Sequence, residues 1–451
     1  MKKFYSDGFF CVSPEFGFLP IKQSLKQLPD TYYNLQYIVD NLNNIVNNNL
    51  SFDPYLDQLP NYIEQVSEET DPYMLHALYR AYAYVSATYL LQPTHQEFVE
   101  TGDFGKALNL LPEKLAVPFV EVSDKMQVYP WLEYNYAYSS GNYYTKDGTD
   151  NLHWSNLDAM CSFTGSKDEI GFMMMHVYII ELGKDLISSM YKVLENNKFD
   201  EIENLYLTLQ DMNIRRREMW QASNHENYNQ FRAFIMGSKG NEKIFGDGVV
   251  YEGVSDEPRQ YRGETGAQDS VIPTCDIFSG VIKYYPENKL TEYLMDLRSY
   301  RPICMQDFLN DLNEECSYTI VDRLKDNNDY KNSVYLLAFV NEIYLFRSGH
   351  WQFVQKYILA NTKYHVASGG TPITTWLPNQ IGACLKFEED IIRYIDGNYT
   401  SELFTKLRNE LPKKIKVLKD QIEELSKDNY NIDLVYDFND FLEDRNYVVE
   451  G

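Results

Sequence analysis

Residues 331–361 read KNSVYLLAFVNEIYLFRSGHWQFVQKYILAN, a run without proline and with a single glycine, Gly349. Apolar residues recur at three- and four-residue intervals, which predicts one long helix. At about 100° per residue, Phe339, Ile343, Phe346, Phe353, Val354 and Tyr357 fall within roughly 60° of His350. Arg347 lies in the same apolar arc, while Asn341, Ser348, Gln352 and Gln355 collect on the side that suits water. A buried arginine keeps its proton and needs an anion, and a buried histidine needs a partner for each ring nitrogen. The helix therefore asks for something beyond packing.

Working outward, residues 71–91, 170–194 and 199–223 carry the same helical periodicity, and strand alternation with regularly spaced turn signals is absent. The expected fold is all-α. Two irregular stretches interrupt it. Residues 124–170 are rich in Tyr, Gly, Asn and Asp, the marks of a long loop and a domain boundary, and residues 236–268 are dense in glycine, as loops that build binding sites often are. The asparagine-rich NNIVNNNL at 43–50 reads as a solvated connection. Length allows two domains, here a small helical one over 1–148 and a larger one over 149–400, followed by a charged helical extension over 401–451 with an acidic end.

The chain has 451 residues and a formal net charge of −25, which argues against nucleic acid as a partner. Its start, MKKFYSDGFF, lacks the apolar core of a secretory signal, and no run reaches the roughly 18 apolar residues of a membrane helix. Six scattered cysteines without a CxxC pair suit a reducing compartment and exclude a zinc-type spacing. The expectation is a monomer in the cytoplasm.

None of the seven histidines forms an HxxxH or HExxH pair. A lone histidine on an apolar face is most simply a core residue, but Arg347 one turn from His350 changes the balance. A haem offers iron that takes one axial histidine and propionates that need cations, and the two residues meet both demands. His176, in GFMMMHVYIIELGKDL, lies on the apolar side of its wheel with Phe172, Ile179 and Ile180, away from Glu181, Lys184 and Asp185. Arg232, in FRAFIMGSK, sits among apolar residues as either a structural cation or a bidentate grip on a carboxylate. The small-residue loop ASGGTP (367–372) lets backbone approach a ligand closely. Walker, GxGxxG and GxSxG fingerprints are missing.

Taken in order, GFLP (17–20), LAVPFVEVSDKM (115–126), NLDAMCSF (156–163), FRAFIMGSKGN (231–241), DGVVYEGV (247–254), GAQDSVIPTCD (266–276), RSGHWQFVQKYI and SGGT resemble the indoleamine 2,3-dioxygenase family, over most of residues 10–380. The resemblance implies haem b, with His350 as the proximal iron ligand, Arg347 beside a propionate and Asp276 paired with that arginine. It implies Arg232 as the partner of a substrate carboxylate, with Tyr134, Phe172 and Gly266 lining the indole pocket. Ser368, Gly369, Gly370 and Thr371 match a loop that closes over the substrate ammonium and a propionate. Alignment from Gly171 puts His176 on the distal side, as in tryptophan 2,3-dioxygenase, and alignment from Glu181 puts Val177 there; the wheel favours His176. Three departures stand out: Asn227 where an aromatic residue is usual, Met305 and Gln306 where a His-Arg pair is common, and Glu264 in a normally neutral glycine loop. The implied activity is dioxygenation of L-tryptophan or a related indoleamine by O2, giving N-formylkynurenine from L-tryptophan. The rivals are a relative acting on a different indole, a haem-binding gas sensor, and a helical interaction protein without a cofactor.

Overall fold

The computed structural model describes residues 1–287, 289–359, 364, 366–370, 373–427 and 434–438. Among the described residues, eleven helices have nine residues or more: α1 Tyr33–Asn47, α2 Pro72–Thr101, α3 Glu113–Met126, α4 Lys167–Ile180, α5 Gly183–Asn196, α6 Glu201–Arg216, α7 Val271–Ser279, α8 Ile303–Glu315, α9 Tyr330–Phe353, α10 Ile373–Ile395 and α11 Glu402–Lys427. The strands are ribbons of two to five residues. The protein is all-α, as its periodicity requires.

Local chemistry sets the helix ends. Asp71 accepts from the Tyr73 amide at the start of α2, Ser166 from the Glu169 amide at the start of α4, and Asp329 from the Asn332 amide at the start of α9; each satisfies a donor that has no intrahelical partner. Gly102 ends α2 with φ near 80°, a conformation that suits glycine. The buried apolar residues form one cluster extending from Tyr5 to Phe438. Helix α9 runs through it, packed against α6 and α10.

Three expectations change here. Asn341, assigned to the wet side of α9, is buried. The charged extension folds back: Phe404, Leu407, Leu411, Ile415 and Leu418 of α11 enter the core, and Lys414 donates to Asn341 and, at 2.8 Å, to the fully buried Glu388. The loop over 124–170 is likewise more ordered than its composition suggests. Glu133 accepts from the amides of Asn135, Tyr136 and Ala137 and winds Tyr134–Tyr138 into one wide helical turn, all five residues buried. Tyr143–Thr145 then pairs antiparallel with Leu157–Ala159. Among the described residues no helix is long and apolar enough to cross a membrane.

Removing one member of a buried ion pair strands the other's charge in the core. Glu388→Ala is therefore expected to destabilise the fold by about 3 kcal/mol, whereas replacing both Glu388 and Lys414 with apolar residues recovers most of that loss. Urea unfolding midpoints of the two variants check this.

Candidate active site

A cavity of about 260 Å³ opens beside the second half of α9. Its walls are mostly apolar: Phe172, Ile179 and Ile180 of α4, Met219, Tyr228, Val271 and Ile272, with Phe346, Phe353, Val354 and Tyr357 of the α9 region. His350 faces it, and its ring has no hydrogen-bond partner among the described residues. Burial, with Arg216 and His176 adding to it, holds the imidazole down at about 4. The ring is thus neutral, with a lone pair available to a ligand. Arg216 lies over Gly349, where a Cβ would stand 2.1 Å from the guanidinium, and over the rings of Phe346 and Phe353. That contact accounts for a glycine near the end of α9.

Arg347 has the anion that its burial demands. Its Nη2 donates to Asp276 Oδ2 at 2.6 Å and to the Tyr285 hydroxyl, and Nη1 reaches Cys384 Sγ at 3.0 Å. Arg347, Asp276 and Tyr285 all line the cavity, joined by Arg298, Arg301 and Gln380. Arg298 has no ion-pair or hydrogen-bond partner for its guanidinium among the described residues. Arg301 rests on the carbonyls of Ala267 and Asp269 with Nη1 unpartnered, and both ends of the buried Gln380 amide lack partners. Gln380 is one turn from Cys384 on α10, which puts it on the Arg347 side of that helix. Asp276 Oδ1 is also without a donor, so this end of the cavity leaves both cationic donors and acceptors unsatisfied.

His176 also lines the cavity, whereas Val177 is fully buried elsewhere and does not. Nδ1 of His176 donates to the Phe172 carbonyl at 2.9 Å, so Nε2 is the free acceptor, and it stands 4.0 Å from where a Cβ on Gly266 would lie. Burial holds this imidazole down at about 4 too. The rings of Tyr134 and Phe172 meet it edge-on at 5.4 and 5.0 Å. Tyr134, Phe172, Gly266 and Ser368 are therefore brought together with both histidines.

Arg232, Gly369 and Gly370 are not in the lining, and Thr371 lies outside the described residues. Arg232 is fully buried. Its Nη2 donates to the Val366 carbonyl at 2.5 Å and its Nη1 to Asn229 Oδ1 at 3.3 Å; it stands behind the wall. Gly370 and Gly240 press backbone on backbone, both with φ near 85°, and a Cβ on Gly370 would meet the Lys239 carbonyl at 2.0 Å. These glycines fasten the small-residue loop to residues 237–241, a join completed by the Gly237 amide donating to the Ser368 carbonyl.

The departures resolve differently. Asn227 turns outward to Asp168 at 2.7 Å, and Tyr228, its neighbour, supplies the aromatic wall, with its ring 5.0 Å from Phe172. Gln306 binds the Arg301 carbonyl and Met305 takes the Ser270 hydroxyl, so neither reaches the cavity. Glu264 does reach it. The sequence reading missed Arg216, Tyr285, Arg298 and Gln380; the only signal was the spacing of Arg298 and Arg301, within one turn.

A helical protein with an unpartnered histidine facing an apolar cavity, and unpaired donors at one end of it, has the layout of a small-molecule site. The family model for indoleamine 2,3-dioxygenase matches residues 7–375, and the chain belongs to that family. It is 24% identical to indoleamine 2,3-dioxygenase 1 of Rattus norvegicus, over 79% of this chain and 86% of the relative. Against indoleamine 2,3-dioxygenase 2 of Homo sapiens the identity is 26%, over 77% and 83%. Against the indoleamine 2,3-dioxygenase of Saccharomyces cerevisiae it is 24%, over 83% and 86%. The protein is thus a dioxygenase.

An unfolded imidazole titrates near 6.5, so between that value and about 4 the unfolded chain binds protons that His176 refuses in the fold. The stability associated with neutral His176 is complete above pH 6.5 and is lost as pH falls towards 4. His176→Asn should flatten the fall of unfolding free energy over this window by about 1.4 kcal/mol per pH unit, measured by urea unfolding at stepped pH. An unchanged slope would mean that His176 is already protonated in the folded protein.

Proposed function

We propose that the protein is a haem b-dependent dioxygenase that opens the indole ring of L-tryptophan, or of a related indoleamine, with O2, giving N-formylkynurenine from L-tryptophan. The observation that carries this is the neutral, unpartnered His350 facing an apolar cavity one end of which offers Arg347, Arg298 and the Gln380 amide. A porphyrin needs an axial nitrogen, apolar faces and donors for two carboxylates, and these residues supply each. Among the described residues no three His, Cys, Asp or Glu side chains cluster to hold a metal ion by themselves, which suits iron carried in a macrocycle with one protein ligand.

In this reading His350 would ligate the iron, Arg347, held in place by Asp276, and Arg298 would hold the propionates, and the Ser368–Gly370 loop with Thr371 would close over the ammonium end of the substrate. Haem supplies ferrous iron that activates O2 for addition across the indole C2–C3 bond. The chain's own work is positioning. Tyr134, Phe172 and Tyr228 form a slot for a flat ring, Gly266 leaves room for its edge, and His176 Nε2 accepts from the indole N–H. Arg232 takes a substrate carboxylate in exchange for one of the backbone carbonyls it now holds.

His350→Ala is expected to abolish haem retention, read as loss of the Soret band after reconstitution; a normal band with normal turnover would remove His350 from the iron. Mixing ferrous protein with O2 and L-tryptophan should give the near-ultraviolet absorbance of a formylated kynurenine, and stable O2 binding without product would point to a sensor instead. Arg232→Ala should raise KM for L-tryptophan far more than for 3-methylindole. Equal effects on the two would reduce Arg232 to a support for the loop.

A further inference from the structure

Three acids line the cavity: Asp276 pairs with Arg347 and Asp269 accepts from the Val271 amide at 2.8 Å, which leaves Glu264. It is 2% exposed, and its carboxyl has neither an ion pair nor a hydrogen-bond donor among the described residues. Its backbone is fixed: the Ser368 hydroxyl donates to its carbonyl at 2.5 Å, and Thr265 and Gln268 cap each other in the next turn. The groups that feel its charge are the hydroxyls of Tyr134, Tyr138, Tyr84 and Tyr228 and the carboxyl of Glu133, with Asp269 acting on the same Tyr134. The Tyr138 hydroxyl is itself without a partner. None of these groups is a cation. Arg232 is turned to the Val366 carbonyl, Arg301 rests on the Ala267 and Asp269 carbonyls, and Arg347 and Arg298 belong to the Asp276 end.

A buried carboxyl with no donor is costly to ionise, and burial with the neighbouring Glu133 holds Glu264 up at about 8. The group that best relieves this is a cation brought by a ligand, and the aromatic faces of Tyr134, Phe172 and Tyr228 favour the same charge. Resting on the reading of the cavity as an indole site, we propose that Glu264 is a specificity-determining residue that pairs with the ammonium group of the substrate. The enzyme thereby selects indole amines over neutral indoles and indole acids, whether or not the amine also carries a carboxylate.

The test compares binding of tryptamine, 3-methylindole and indole-3-propionic acid to the haem-loaded protein by calorimetry and Soret shift. The wild type should bind tryptamine about tenfold or more tighter than 3-methylindole, with the acid weakest, and Glu264→Gln should bring tryptamine and 3-methylindole within about twofold. Pairing at pH 7 expels a proton from Glu264, so the heat for tryptamine should follow the ionisation heat of the buffer, and this dependence should vanish in Glu264→Gln. An acid that binds the wild type tighter than the amine, or an unchanged ratio in the variant, overturns the proposal. The wild-type ranking decides even if the variant fails to fold. Should no indole be turned over while the ranking holds, the catalytic reading falls and the cation site stands.

Discussion

The contact between Arg347 and Asp276 is the constraint on which the centre of the molecule depends. A guanidinium that cannot lose its proton is placed in the apolar middle of α9, and it is tolerable there only because α7 brings a carboxylate to 2.6 Å. Tyr285 and Cys384 close around the same pair, so one charge ties α7, α9, α10 and the turn after α7 into a fixed arrangement. His350, one turn further along α9, inherits its position from that anchorage.

The cavity beside these residues is electrostatically divided. Its Asp276 end carries donors that the protein leaves unsatisfied, in Arg298 and Gln380, and Arg301 rests on the Ala267 and Asp269 carbonyls, while Glu264 near Tyr134 has no cation paired with it among the described residues. Between them stand two imidazoles that burial keeps neutral. An anionic, planar group fits one side and an aromatic amine the other. The division explains why Arg232 does not face the space: its guanidinium is engaged in holding the backbone that leads to Ser368.

Much of this was legible in the order of residues. The 3.6-residue periodicity of α4, α6 and α9 marked the helices, and the placing of His350, Arg347 and His176 on apolar faces singled out the residues that meet in the cavity. The sequence reading failed where a second element decides the environment. Asn341 looked wet until α11 covered it, and Asn227 looked like a gap in the wall until Tyr228, one residue on, proved to fill it. Gly370 read as ligand-facing and packs where two loops touch, while Gly369 lies against the Tyr293 hydroxyl and Thr265, both of which line the cavity.

The sequence by itself determined the fold class and the identity of the residues under strain, because helical periodicity is local and a buried charge shows as a charge in an apolar stripe. Only the tertiary structure decided which acid meets which base. Arg347 is 71 positions from Asp276, and Glu264 has no cation paired with it among the described residues. Pairing across such distances is set by how helices cross, and it settles whether a polar group is satisfied within the protein or left for a ligand.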